Sequence, residues 1–154
     1  MIYNPSADWS LSASYGYLDG DSGEHRLTVS AAYSHSFVNG DNFSVTSYMG
    51  RNIVTGSANS NAWLAEGTLY HKKEALFARF ERVDKGELIN VPAGVYAINK
   101  LIFGDVHNFL TKDHVDYGVG AYAGVYSFPK SLNGIYGKSP VTYGIFLRIH
   151  PSKM

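Results

Sequence analysis

The residues best placed to do chemistry are charged residues that fall among small polar side chains in alternating segments. A two-residue turn at positions 72–73 sets Glu66 opposite Arg79 and places Glu81 opposite Leu64. Opposite charges that face each other across two strands attract, so this register favours one polar face for all three charged side chains. The same alternation predicts a larger set of charged residues on that face, at Arg26, Glu66, Arg79, Glu81, Lys100, Asp116 and Arg148.

This charged set has two interpretations. In the structural interpretation, the charged side chains pair with one another, fill the interior of a narrow β-barrel and fix the strand register. In the functional one, they form a selectivity ring in a conducting pore. If the interior is dry, Arg79→Ala is expected to destabilise the chain by about 3 kcal/mol, because Glu66 would be left unpaired.

The six histidines do not have the spacing of a metal centre. Neither His-x-His nor His-Glu-x-x-His occurs, and cysteine is absent, so we expect no metal and no cofactor. The histidines fall mostly near predicted strand ends and turns, where solvated or interfacial side chains are the simpler interpretation. They are His25, His35, His71, His107, His114 and His150.

A catalytic interpretation depends on one loop. His25 lies close to Ser22 and Glu24, the residue types that a lipid-modifying enzyme would need at a membrane surface. Loops rich in Ser, Asp and Gly contain such triplets by chance. Neither a Gly-x-Ser-x-Gly motif nor a phosphate-binding loop is present, so we expect no catalysis.

The composition excludes several other classes. The formal net charge is zero, which argues against nucleic-acid binding. Charged residues make up 17% of the chain, below the roughly 25% of soluble domains. There is no apolar run long enough for a transmembrane helix, and the first residues do not resemble a signal peptide. A mature or truncated form is therefore expected.

The elements that position these residues are predicted to be β-strands. Apolar and small or polar residues alternate in eight segments, near 8–18, 26–37, 42–53, 61–71, 74–84, 94–106, 114–127 and 141–150. Their length fits a tilted strand that crosses a bilayer, which needs about 9–11 residues. Tight turns tend to alternate with longer loops, as in bacterial outer-membrane barrels, and an even strand count puts both chain ends on the short-turn side.

The two predicted faces differ in a way that favours a membrane barrel. Ser, Thr, Gly and Ala dominate the polar face, whereas a water-exposed surface is normally rich in Lys and Glu. Large aromatic residues near strand ends are typical of an interfacial girdle, here Trp9, Phe37, Phe43, Trp63 and Tyr143. Arg51 and Arg82 fall on the apolar face near the long-loop ends, where lipopolysaccharide phosphates are a suitable partner.

Several segments also resemble a group of largely uncharacterised, porin-like proteobacterial outer-membrane proteins. The segments are Tyr3-Asn4-Pro5, Asp8-Trp9-Ser10, Gly50-Arg51-Asn52, Asn61-Ala62-Trp63-Leu64 with Glu66, Arg79-x-Glu81, Tyr136-Gly137-x-Ser139-Pro140 and Phe146-Leu147-Arg148. The resemblance implies the C-terminal part of a longer barrel and does not imply an activity. The chain departs from many barrels because it lacks a terminal aromatic residue.

The sequence therefore predicts one domain over residues 1–154, an antiparallel up-and-down transmembrane β-barrel of about eight strands in the outer membrane of a Gram-negative bacterium. The expected role is porin-like or structural, with membrane lipid and lipopolysaccharide as partners, and a homo-oligomer if the barrel forms a pore. Two alternatives remain. One is a soluble barrel that binds a small molecule, and the other is a lipid-modifying enzyme.

Overall fold

A computed structural model describes residues 1–19, 23–86 and 88–152. These residues form one antiparallel sheet of nine strands, in which each strand pairs with its neighbours along the chain. The strands are β1 (Ile2–Ser6), β2 (Trp9–Leu18), β3 (Glu24–Ser36), β4 (Asn42–Val54), β5 (Ser60–His71), β6 (Glu74–Lys85), β7 (Tyr96–Lys112), β8 (Val115–Ser127) and β9 (Val141–Pro151). A 3-10 turn (Lys130–Leu132) and a one-turn helix α1 (Asn133–Tyr136) lie between β8 and β9.

The eight alternating segments correspond to β2–β9, so the all-β antiparallel prediction is confirmed. The predicted register between β5 and β6 is also observed, with Glu66 opposite Arg79 and Leu64 opposite Glu81. Strand β7 extends beyond its predicted end because a bulge between Asn108 and Leu110 interrupts the alternation. The loop predicted at 107–113 is therefore strand, followed by a two-residue turn.

Closure into an eight-stranded barrel is not observed. The hydrogen-bonded sheet is open, with β1 at one edge and β9 at the other. Strand β1 pairs with the edge of β2 that an eight-stranded barrel would offer to β9. The strand count is odd as a result, and Ile2 lies opposite Ser12, partway along β2. The expectation that both chain ends lie on the short-turn side is therefore wrong.

All the tight turns lie at one end of the sheet, which we call the short-turn end. The connection between β7 and β8 consists of Asp113 and His114, with φ of 51° and 61°. Positive φ at both positions is the backbone of a type I′ turn, whose twist matches that of the paired strands. The opposite end, the long-loop end, carries the connections 86–95 and 128–140.

The sheet has one polar face and one apolar face, because successive side chains of a strand point to opposite sides. Large apolar side chains stay exposed on the apolar face, and Tyr143 and Ile145 of β9 are 81% and 82% exposed. The buried apolar residues of the described chain are only Ala75, Val106 and Leu132. The accessible surface is 10757 Å², whereas a globular monomer of this mass exposes about 7,700 Å². The fold thus leaves unburied the apolar surface that would normally form a core.

On the polar face, large and small residues alternate from strand to strand. Phe77, Gly104, Tyr122 and Gly144 form one row across β6–β9. The rings of Phe77 and Phe146 have centroids 6.4 Å apart, although two strands separate them. Neighbouring strands lie about 4.8 Å apart, so these rings must lean towards each other over the glycines. The polar face is therefore the concave face in this half of the sheet.

Candidate functional site

The charged residues at the centre of the polar face form a cluster around Arg79. Its guanidinium donates through Nε to Glu81 Oε1 at 2.8 Å and binds the same oxygen through Nη2. Its Nη1 lies 3.6 Å from Glu66 Oε2, across the strand pair. The alternation brings the three side chains together, but Arg79 is held mainly by Glu81 on its own strand. Glu66 is the second and more distant partner.

This charge cluster borders a cavity of about 460 Å³ on the polar face. Hydroxyl groups of Ser44, Thr46 and Thr68 line the cavity on one side, and Lys100 and Tyr122 line the other. The side chains of Arg79 and Glu66 are 43% and 44% exposed, so water screens their attraction. The dry interior on which the 3 kcal/mol expectation for Arg79→Ala depends is not observed in the open sheet.

Lys100 lies opposite Glu81 and Tyr126 on the same face. Its Nζ sits 5.2 Å from the centroid of the Tyr126 ring, a distance at which a cation is attracted to the ring face. Glu81 already accepts the bonds of Arg79. Among the described residues, the Lys100 ammonium has no ion-pair partner.

The remaining predicted charges lie on the polar face but far from this cluster. Arg26 is at the long-loop end, where it donates to Glu24 at 2.9 Å and to Asn52 at 3.1 Å. Asp116 and Arg148 are at the short-turn end. The buried Asp116 accepts a 2.5 Å bond from Thr111, and Arg148 donates to Asn108 at 3.3 Å. The seven predicted residues therefore share a face but form three groups along it.

The predicted aromatic girdle residues lie near both ends of the apolar face. Near the short turns, the Tyr33 ring contacts Trp9 and Phe43 at centroid distances of 5.0 and 6.4 Å, and Phe37 follows the end of β3. Near the long loops are Tyr143 and Trp63, whose indole N–H donates to Ser47 at 3.1 Å. The bond satisfies the polar group of an otherwise apolar ring.

The two arginines predicted to face lipopolysaccharide, Arg51 and Arg82, lie on the apolar face. Each is three residues before the long-loop end of its strand, β4 or β6. Arg51 is opposite Leu27 and Asn61, and Arg82 is opposite Trp63 and Asn99. Both are exposed. Neither forms an ion pair with a described residue, which leaves their guanidinium groups available to an anionic partner.

The residues of the catalytic alternative are not brought together where they are described. Ser22 lies outside the described residues. Glu24 is on the polar face and binds Arg26, whereas His25 is on the apolar face and shares a 2.5 Å hydrogen bond with the Tyr15 hydroxyl. An acid that orients a histidine must share its side of the strand, and this pair does not.

Sequence reasoning missed a repeated contact between histidine and carboxylate. Strands β2–β9 form four hairpins, each joined at the long-loop end, and in the first three a histidine–carboxylate pair links the two strands at the open end. The pairs are Asp8–His35 at 2.8 Å, Asp41–His71 at 2.7 Å and Glu74–His107 at 2.5 Å. We call these pairs the hairpin clasps. In the fourth hairpin, Asp116 and His150 lie 3.8 Å apart, and His150 Nε2 accepts a hydrogen bond from Arg148 at 3.0 Å.

The signal for the clasps is a histidine that follows a carboxylate by 27, 30 and 33 residues in the first three hairpins. A search for metal-ligand spacing within one strand cannot find it. In the second clasp, the hydrogen bond from His71 holds the pKa of Asp41 below its ordinary value of 3.8, and Asn39 adds to the effect.

Groups of three or more potential metal ligands do not occur among the described residues. The described helices are also too short and too polar to cross a bilayer. Comparisons with protein-family models, curated proteins and solved structures give no match. The resemblance to porin-like proteins therefore stays a prediction, and the function has to be argued from the geometry.

Proposed function

We propose that this sheet forms part of the wall of a porin-like outer-membrane β-barrel, with no catalytic role. The observation that carries the proposal is the continuous apolar face, with large exposed side chains in the strands from β2 to β9. Such a surface is far larger than the apolar patches tolerated on soluble monomers. A bilayer covers it without any further protein.

The distribution of residue types along the strands supports the same proposal. On β4, the apolar face runs from Phe43 through Val45 and Met49 to Arg51. These eight residue steps span about 26 Å along the strand, which is a height of about 20 Å at the tilt of roughly 40° that such strands have. An apolar band about 25 Å tall, with aromatic residues at its borders, is typical of outer-membrane barrels. The basic residue lies at the border where it can meet lipid phosphates.

The two open edges add a requirement. Backbone N–H and C=O groups in hydrocarbon must all be paired, so β1 and β9 both need neighbours in a bilayer. The proposal therefore includes further strands, either from a longer parent barrel or from another copy of the chain. The wider barrel that results would leave room for water beside the Arg79 cluster.

The soluble alternative is less well supported. A soluble barrel that binds a small molecule buries its large apolar side chains on the concave face. Here the polar face, which is concave in β6–β9, carries Gly and Thr beside its rings, and the apolar residues of β9 point the other way. For the lipid-modifying enzyme, His25 and Glu24 lie on opposite faces.

Folding of the full chain with and without detergent micelles tests the proposal. We expect a compact form that migrates differently on a gel before and after boiling, and only when detergent is present. Planar-bilayer recordings of that form then measure conductance. A chain that folds in plain buffer, and whose mobility does not change on boiling, would overturn the membrane assignment.

Two substitutions on β9 give this experiment a matched control. Ile145→Lys on the apolar face should lower the free energy of unfolding in bilayers by about 2–4 kcal/mol, because a cation would face hydrocarbon. Thr142→Lys, on the polar face of the same strand, should have a much smaller effect. If water covers the apolar face, Ile145→Lys will not destabilise the chain more than Thr142→Lys, because the exposed side chain at position 145 would then face water.

A further inference from the structure

A second cavity lies at the long-loop end and differs in character from the cavity beside Arg79. It has a volume of about 280 Å³ and is lined almost entirely by apolar groups. The two longest loops build it over the ends of β7 and β8. Its lining consists of Leu88, Ile98, Tyr126, Phe128, Leu132, Tyr136 and Pro140.

The walls of this loop cavity are held in place by specific contacts. The Tyr136 hydroxyl donates to the carbonyl oxygen of Ile89 at 3.4 Å, which ties one loop to the other. The Phe128 and Tyr136 rings meet edge to face at 6.1 Å. Leu132 lines the cavity and is 1% exposed. Aromatic rings thus form much of the wall, and such walls favour a flat aromatic guest.

A cation on β7, Lys100, lines the cavity beside Arg79 and also lies near this apolar cavity. Lys100 lies two residues from Ile98 on the same strand face, and its Nζ is 5.2 Å from the ring centroid of Tyr126, which lines the cavity. Glu81 is opposite Lys100, but its carboxylate is bound by Arg79. The ammonium therefore has no carboxylate partner among the described residues.

We propose that this site binds a small monocarboxylate with an aromatic ring. The ring would occupy the loop cavity and the carboxylate would pair with Lys100. A cavity of about 150 Å³ is enough for benzene, so 280 Å³ admits a ring with a short side chain. A single ammonium matches a single carboxylate, whereas a phosphate monoester would need more donors than the site provides. The inference does not depend on membrane location.

Isothermal titration of the folded full chain tests this assignment with two probes of the same shape. The charged probe is 3-phenylpropanoate and the neutral probe is 3-phenylpropanamide. We expect the carboxylate to bind at least tenfold more tightly than the amide. Equal affinities, or no binding of either probe, would overturn the proposal.

Four variants locate the two halves of the site. Lys100→Gln should remove the preference by weakening the carboxylate at least tenfold, while Lys100→Arg should retain it. Ile98→Trp, which fills the cavity, should abolish binding of both probes. Lys112→Gln, at the short-turn end, is the control and should bind like the unchanged chain. A carboxylate affinity that is unaffected by Lys100→Gln would show that the anion binds elsewhere, and would contradict the assignment.

Discussion

At the scale of single residues, the position of Arg79 explains how one face holds opposite charges without burying them. Its guanidinium is shared between Glu81 on its own strand and Glu66 on the next. A planar guanidinium has enough donors to bind both carboxylates, which an ammonium in that position would do less well. Arg79 and Glu66 are nearly half exposed, so water screens their attraction. Their contribution to the free energy of unfolding is therefore that of a solvated ion pair.

The Arg79 cluster gives the first prediction. In double-mutant cycles, Arg79→Met with Glu81→Gln should show stronger coupling than Arg79→Met with Glu66→Gln, because only Glu81 is in direct hydrogen-bond contact. The Glu66 coupling should fall in the range of exposed ion pairs, about 0.2–1 kcal/mol. Urea unfolding of the detergent-bound chain measures both energies. A larger coupling for Glu66 than for Glu81 would contradict the observed geometry.

The sequence predicted the face of these residues better than their partners. Parity along a strand decides which face a side chain occupies, so Glu66, Arg79 and Glu81 could all be assigned. The partner of a long side chain depends on rotamers, which parity does not determine. The clasp between Asp41 and His71 was missed because the contact joins residues that are distant in sequence and close only once the hairpin has formed.

At the scale of elements, period-2 alternation and turn residues were enough to predict β2–β9. The short strand β1 was missed because its five residues are too few to display a pattern. The end of β7 was missed because the bulge after Asn108 shifts the register by one residue. Beyond the bulge, Thr111 shares the face of Asp116, which simple parity would not predict.

The glycines of β7 and β8 give the second prediction. A Cβ on Gly104 would meet the Phe77 ring and would lie 2.7 Å from the Ala121 carbonyl oxygen. Gly104→Ala should therefore destabilise the chain by about 1–3 kcal/mol, as overpacking does. Gly16→Ala on β2 is the matched control, since its Cβ would meet no atom within 4 Å. Similar unfolding midpoints for the two variants would mean that the polar face is not packed in β6–β9.

The hairpin clasps give the third prediction, which concerns pH. The pKa of Asp41 is lower in the folded chain than its ordinary value, because the folded state favours the ionised carboxylate. Such a group stabilises the fold above its unfolded pKa, and the contribution is lost as pH falls through the folded pKa. Between pH 5 and 3, the unfolding midpoint should therefore fall more steeply for the unchanged chain than for Asp41→Asn.

The control for the pH prediction is Asp19→Asn, at the long-loop end and outside the clasps. This variant measures how much the removal of one carboxylate outside the clasps changes the pH profile. His71→Gln removes the partner that lowers the Asp41 pKa, and its profile should approach that of Asp41→Asn. Parallel profiles for the unchanged chain and Asp41→Asn would show that the second clasp does not contribute to stability.

At the scale of the whole molecule, the sheet has two distinct faces and two free edges. Alternation predicted the faces, because it repeats within every strand. It could not predict whether the edges close, because closure depends on the total number of strands and their stagger. Strand β1 pairs with the edge of β2. The eight strands predicted from the alternation therefore do not form a closed barrel by themselves.

The large accessible surface follows from the same architecture. A single sheet without a second layer cannot bury an apolar face, and domains normally pack two or more layers around a core. Only three apolar residues of the described chain are buried. A hydrocarbon environment on the apolar face accounts for this arrangement, and it is the central claim of the proposed function.

The most direct test is the collision accessibility of spin labels along β4 in lipid bilayers. The chain contains no cysteine, so Val45→Cys, Thr46→Cys, Tyr48→Cys and Met49→Cys each give a single labelling site. We predict a period of two, with Val45 and Met49 accessible to oxygen dissolved in lipid and Thr46 and Tyr48 accessible to a water-soluble nickel complex. Labels at Val45 and Met49 that collide mainly with the nickel complex would contradict the claim that lipid covers the apolar face.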